Sequence, residues 1–180
     1  MFYSLNIEKF CNHKLIYAEL PKTEEFGLDN ICILKDDFRI ENPHLFKEVG
    51  FNFVFGNYDN IVCERQTIEI GLKVKKIHII GFAYWGNICE HFTIVYEDGS
   101  KECAKIPFFD WSHRIQNKSP DKPGQICGLE LFKTVITSGR WVHLAYFHHS
   151  TYEVSTNKVI KEIILPDNMF VHIQAITLED

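Results

Sequence analysis

The sequence has no surplus of basic charge. Its 180 residues carry 19 Lys and Arg against 24 Asp and Glu, a formal net charge of -5. No nucleic-acid partner is expected, because neutralising phosphates takes clustered Lys and Arg. Long apolar runs are also missing. None reaches the roughly 20 residues that a membrane-spanning helix needs, so no membrane partner is expected. The N-terminal MFYSLNIEKF lacks a basic start leading into an apolar stretch, the form of an export signal, and a cytoplasmic location is the expectation.

Pairing patterns are absent among the cysteines. Cys11, Cys32, Cys63, Cys89, Cys103 and Cys127 form no CxxC, so a compact zinc knuckle is not supported. In a reducing compartment they read as six free, mostly buried thiols. Catalytic signatures are missing in the same way: no HExxH, no GxSxG and no Gly-rich phosphate loop. Glu90, Glu97, Asp98, Asp110 and Glu153 are carboxylates by type, but no pair stands apart as the acid and base of a glycosidase. Cys11 lies near His13 and Cys89 near His91, yet both cysteines read as core positions rather than nucleophiles.

What the chain does have is apolar and aromatic bulk. Hydrophobic residues make up 46% and charged residues 24%, ordinary for a globular protein and far from disorder. The length suits one domain, residues 1–180. Aromatics reach 14%, with 15 Phe, and such bulk favours packed sheets over long helices.

Strand patterns dominate. KKIHIIGFAYW (75–85) is a nearly continuous apolar run. HFTIVYEDGSKECAKI (91–106) puts Phe92, Ile94 and Tyr96 on one face and His91, Thr93 and Val95 on the other. Asp98-Gly99 supplies a two-residue turn with both positions at positive φ. RWVHLAYFHH (140–149) alternates as one strand. KVIKEIILPDN and MFVHIQAITLE form a last hairpin across Pro166-Asp167-Asn168. Earlier strands fall at NICILKD, GFNFVFG and RQTIEIGL. NPHLFKEVG (42–50) reads as a short helix, with Asn42 as cap and Pro43 in its first turn. QNKSPDKPGQICG (116–128) reads as a long surface loop. Many short strands with turns between them imply two packed antiparallel sheets, since one sheet cannot cover its own apolar face.

LIYAELPKTE, GFNFVFGNYDNIVCERQTIEI, KKIHIIGFAYWGN, FTIVYEDGS, FFDW, WVHLAYF and EIILPDNMFVHIQAITLE occur in that order. Over residues 14–179 this series resembles the jelly-roll β-sandwich of galactose-binding-like domains, of the kind appended to bacterial glycoside hydrolases. The resemblance implies an all-β jelly roll and non-catalytic carbohydrate binding. It calls for no cofactor and leaves a structural Ca²⁺ open. Because one fold hosts many functions, the ligand follows from it by analogy alone.

The candidate ligand site gathers aromatic and polar residues at strand ends. Tyr84, Trp85 and Asn87 flank Gly86; Asp110, Trp111, His113 and Arg114 follow the hairpin. Arg140, Trp141, His143 and His149 belong to the next strand. An aromatic face stacks on the C–H face of a pyranose, while Asp, Asn, Arg or His fork onto neighbouring hydroxyls. Two readings of other classes stand beside this one. The first is a protein-interaction module, self-associating into a homo-oligomer through an exposed aromatic face. The second is a small metal-dependent enzyme built on His113, His143 and His149 with Asp110, although no spacing demands a metal. Asp59-Asn60 reads as a turn that ties a loop to the sheet.

Overall fold

A computed structural model describes residues 1–19, 21, 32–36, 40, 42–112, 127–129, 133–137 and 141–180; residues 127–129, 133–137 and 141–144 are described by backbone alone. The strands are β1 (Phe2–Ser4), β2 (Ile16–Tyr17), β3 (Ile33–Leu34), β4 (His44–Phe46), β5 (Val49–Phe51), β6 (Ile61–Glu64), β7 (Thr67–Lys73) and β8 (Lys76–Ala83). They continue as β9 (Ile88–Tyr96), β10 (Lys101–Phe108), β11 (Cys127–Leu129), β12 (Lys133–Thr137), β13 (Trp141–Leu144), β14 (Phe147–Glu153), β15 (Val159–Ile164) and β16 (Asp167–Glu179). A single 3₁₀ turn, Glu8–Phe10, is the helical element among the described residues.

The fold is all-β, and its two principal sheets are antiparallel. One runs β1-β16-β8-β14-β11, with β6 also paired to β16; the other runs β10-β9-β15-β7. β16 is the spine of the first. One flank pairs with β8 over most of its length, and the other pairs with β6 at its start and β1 at its end.

The first core lies between the sheets. Ile77 and Ile79 of β8 and Val171, Ile173 and Leu178 of β16 meet Phe92 and Ile94 of β9, Phe108 of β10 and Ile163 of β15. Strand alternation turns the intervening residues Ile80 and Phe82 outward. They do not meet solvent. The segment bearing Leu15 and Ile16, Ile33 of β3, Val49 and Phe51 of β5, and Phe53 cover them as a second core. The six-stranded sheet is therefore buried on both faces, which explains why its strands read as nearly continuous apolar runs.

Polar pins join the layers. Glu102 of β10 accepts hydrogen bonds from Tyr152 of β14 at 2.6 Å, from the Ser155 backbone and hydroxyl at 3.0 and 2.6 Å, and from Tyr96. Ser150 of β14 donates to the Pro107 carbonyl of β10 at 2.6 Å. Gly81 is fixed by proximity. A Cβ there would stand 2.5 Å from the His172 carbonyl oxygen and 2.8 Å from the Phe108 ring. β16 carries a bulge between Ile173 and Ala175, where it passes Gly81 and Ile80.

Several expectations need correction. NPHLFKEVG is not a helix but the β4–β5 hairpin, turned through Lys47 (φ 47°) and Glu48 (φ 74°). The Asn42 amide does not cap a helix; it accepts from Phe53 N at 2.9 Å and donates to Phe53 O at 2.7 Å. Val49 and Phe51 gain burial as a hairpin laid on the sheet, and that tertiary gain overrides the local cap signal. β15 and β16 do not pair. They lie in different sheets, and Asp167 and Asn168 are strand residues opposite Glu64 and Cys63. RWVHLAYFHH breaks after Leu144 into β13 and β14, which belong to separate sheets. At Asp98-Gly99 only Gly99 has positive φ, 81°. Gly99 N donates to Tyr96 O, and four residues, 97–100, rather than two separate β9 from β10. Cys89 and Cys103 are exposed, against the expectation of mostly buried thiols, while Cys32 and Cys63 are buried. NICILKD and GFNFVFG hold shorter strands than expected, and residues 116–126 of the expected loop lie outside the described residues.

Gly81→Ala is expected to lower stability by about 1–3 kcal/mol, because backbone and a core ring must both shift. Chemical denaturation checks this against Gly50→Ala, where the new Cβ would meet only ordinary contacts of 3.8 Å and beyond.

Candidate functional site at the Trp85 turn

β8 ends beside the segment that follows β10. Ala83 N donates to Phe109 O at 2.8 Å and Trp111 N to Ala83 O at 3.1 Å, a parallel bridge centred on Asp110. This brings two of the sequence-predicted clusters together. Asp110 is buried and its carboxylate serves the turn. Oδ2 accepts from Gly86 N at 2.7 Å, and Oδ1 accepts from Ser112 N at 2.9 Å and Ser112 Oγ at 2.5 Å. Asp110 N in turn donates to Asn87 Oδ1 at 3.1 Å. Asp110 and Asn87 thus hold the turn in one shape.

The three aromatic residues divide. Tyr84 is buried, edge-on to His172 with ring centroids 4.8 Å apart. Trp111 packs against the second core, 6.3 Å from the Tyr84 ring. Trp85 points the other way and is 78% exposed. Its φ is 64°, followed by 114° at Gly86. A left-handed backbone at a bulky residue costs on the order of 1–2 kcal/mol and persists only where the surroundings impose it. Tyr84 N donates to Phe170 O at 2.9 Å, so β16 runs alongside. Met169 and Phe170 are exposed there, 48% and 40%.

The third predicted cluster falls only in part within the described residues. Tyr146 N donates to Trp111 O at 2.7 Å, which brings the chain after β13 to Trp111. Trp141 and His143 are described by backbone alone, in β13 paired with β12. His113, Arg114 and Arg140 lie outside the described residues. His149 sits within β14 opposite Ile80, beneath the β4–β5 hairpin and edge-on to Phe46 and Phe51. Its Nε2 is 3.1 Å from His78 Nδ1, and His78 Nε2 is 3.0 Å from Glu179. Among the described residues no group of three or more His, Cys, Asp or Glu is placed to hold a metal ion.

Buried histidines are the feature that sequence reading missed. Asn60 Nδ2 donates to His13 Nδ1 at 3.1 Å, while Asn60 Oδ1 lies 2.8 Å from His172 Nδ1. An amide oxygen only accepts, so neutral His172 carries its proton on Nδ1, while Asn60 Nδ2 shares its two protons among His13 Nδ1, the His13 carbonyl and Asp59 Oδ1. Asp59 beside it accepts from Leu15 N and Ile16 N, each at 2.9 Å, which ties the N-terminal segment to the sheet as expected. The available signal was His172 and Gln174 inside the apolar run MFVHIQAITLE, since a polar residue in a strand buried on both faces needs a partner.

Burial holds these imidazoles neutral. It pushes His148 down to about 4, against weaker upward pulls from Asp110. Burial, then the neighbouring His78 and Lys47, pushes His149 down to about 3. Burial also lowers His13, His78 and His172.

No protein-family model matches the chain, and no curated protein matches it. Among the described residues no helix is long and apolar enough to cross a membrane.

The depressed histidines set a pH dependence. In the unfolded chain an imidazole binds its proton near pH 6.5, whereas folded His148 and His149 stay neutral to about 4 and 3. The unfolded state thus binds more protons below 6.5, and stability falls as pH drops through that window. The urea midpoint is expected to be lower at pH 5.5 than at pH 7. His149→Leu should flatten the slope; an unchanged slope counts against His149 as its source.

Proposed function

We propose that the protein is a non-catalytic carbohydrate-binding module and that Trp85 is the surface its ligand stacks on. The observation that supports this reading is the placement of Trp85. A large indole is displayed at 78% exposure, on a left-handed backbone, by a turn that Asp110 ties through hydrogen bonds to Gly86 N and Asn87 Oδ1. An exposed aromatic on a strained, firmly held turn suits recognition better than packing. The exposed Asn87 amide next to the turn offers its NH₂ to a ligand hydroxyl, its oxygen being taken by Asp110 N. The same reading takes the sandwich to be a jelly roll of the galactose-binding kind. Affinity comes from stacking and a few hydrogen bonds, without a covalent step.

A second reading has its own observation. Met169 and Phe170 are exposed on the strand whose Phe170 O accepts from Tyr84 N, and exposed apolar residues there also suit a protein partner or a second copy of the chain.

Intrinsic Trp fluorescence against a panel of neutral mono- and oligosaccharides tests the first reading. A saturable shift with one sugar is expected. Trp85→Ala should weaken that binding by about 1–3 kcal/mol, with a thermal midpoint near that of the parent. No shift across the panel from folded protein, together with concentration-dependent dimerisation that Trp85→Ala abolishes, moves the assignment to the second reading.

A further inference from the structure

A second site lies away from the Trp85 turn. Two stretches outside the sheets face one another: residues 5–8, which follow β1, and residues 52–56, which follow β5. The groove between them holds a cavity of about 420 Å³. That is within the span of about 300–1,000 Å³ common for small-molecule sites. Leu5 N bonds Ile176 O, and Ile176 pairs with Ile79 of β8. Trp85 is six residues further along that line, so roughly 20 Å of extended strand separates the two places.

The lining is half apolar and half polar. Phe53 and Val54 line it alongside Phe55, which is 39% exposed. Four lining side chains carry polar atoms, Asn6, Glu8, Asn42 and Asn52, of which Asn42 is spent on the Phe53 backbone. Asn6 Oδ1 accepts from Glu8 N at 3.0 Å, which leaves its NH₂ unused among the described residues. The Glu8 carboxylate and the Asn52 amide make no hydrogen bond among the described residues, although the Asn52 backbone is anchored by N–H donation to Ser4 Oγ at 2.8 Å. The frame is fixed from behind. Asn42 clamps Phe53 by two hydrogen bonds, and Lys14 Nζ donates to Gly56 O at 2.7 Å and pairs with buried Asp59 at 3.1 Å.

The chemistry of these groups selects the ligand. Glu8 is acceptor-only, and Asn6 and Asn52 bring donors and a further acceptor. A hydroxyl both donates and accepts, so adjacent hydroxyls match a carboxylate and amides together. Among the described residues the lining carries one negative charge and no cation, and nearby Lys14 is engaged by Gly56 O and Asp59; phosphates and carboxylates are disfavoured. The Phe55 ring and Val54 present an apolar wall to C–H groups. We infer that this groove binds a small neutral polyhydroxylated molecule, of the size of a single pyranose. The inference does not rest on the role proposed for Trp85, and neither requires the other.

Saturation-transfer NMR on the whole chain with neutral methyl pyranosides tests it. This method detects ligands wherever they bind, whereas Trp fluorescence reports mainly on the turn. The expected result is saturable transfer that persists in Trp85→Ala and falls at least tenfold in apparent affinity in Glu8→Ala/Asn52→Ala. Both residues of that double variant are exposed, and their side chains hold no part of the fold. Saturable transfer lost in Trp85→Ala but kept in the double variant overturns the groove and leaves the turn as the site. Transfer absent from the parent at every sugar overturns it as well. Tighter binding of a sugar phosphate than of its neutral parent overturns the ligand class.

Discussion

Everything in this structure depends on covering both faces of one sheet. β8 carries large apolar residues on successive positions and β16 is buried at every position from 171 to 178, so neither side is left to water. The four-stranded sheet covers one side and the irregular N-terminal third, with its β4–β5 hairpin, covers the other. Burial on this scale is the main favourable term in folding. Within this sheet His78, His149 and His172 are paired with His, Asn and Glu side chains, whereas the buried Gln174 amide has no hydrogen-bond partner among the described residues.

That cover links the titrating groups to a layer of the fold. His149 touches Phe46 and Phe51 of the hairpin, and His13 and Asn60 stitch the N-terminal segment to β16. His13, His149 and His172 lie at the seam between the sheet and its outer cover, whereas His148 packs on Phe109 and lies 3.4 Å from the Asp110 carbonyl, after β10. Protonation at the seam places charge in a largely buried layer, which destabilises the contact between the sheet and its outer cover. Glu102, by contrast, pins the inner seam. Burial raises its pKa, but donation from Ser155, Tyr152 and Tyr96 outweighs this and holds it below the usual carboxylate value.

The all-β class was legible because Phe-rich, β-branched runs and turn residues repeat along the chain. The hairpin of β9 and β10 was legible for the same reason, since one face of each strand is polar. Where burial is two-sided, periodicity loses its meaning. KVIKEIILPDN and MFVHIQAITLE look like one hairpin because nothing in an apolar run says which sheet it joins. NPHLFKEVG carries a helix cap signal, and only the distant Phe53 backbone shows that Asn42 serves another purpose. At the site, Gly86-Asn87 and Asp110 announced a turn and its anchor. The sequence did not show that Tyr84 and Trp111 face inward and Trp85 outward, because that division depends on two successive left-handed residues.

The edges of the four-stranded sheet have a consequence of their own. On one edge, β10 places Pro107 opposite Cys89, and a proline has no N–H to offer a newcomer. On the other, β7 meets β15 across a register slip between Ile160 and Glu162, with Gly71 at φ 67° on the outer strand. A twisted, kinked border is a poor template for a further strand. The sheet is therefore closed to growth at both margins. Fibrillation by edge-to-edge stacking through this sheet is thereby disfavoured.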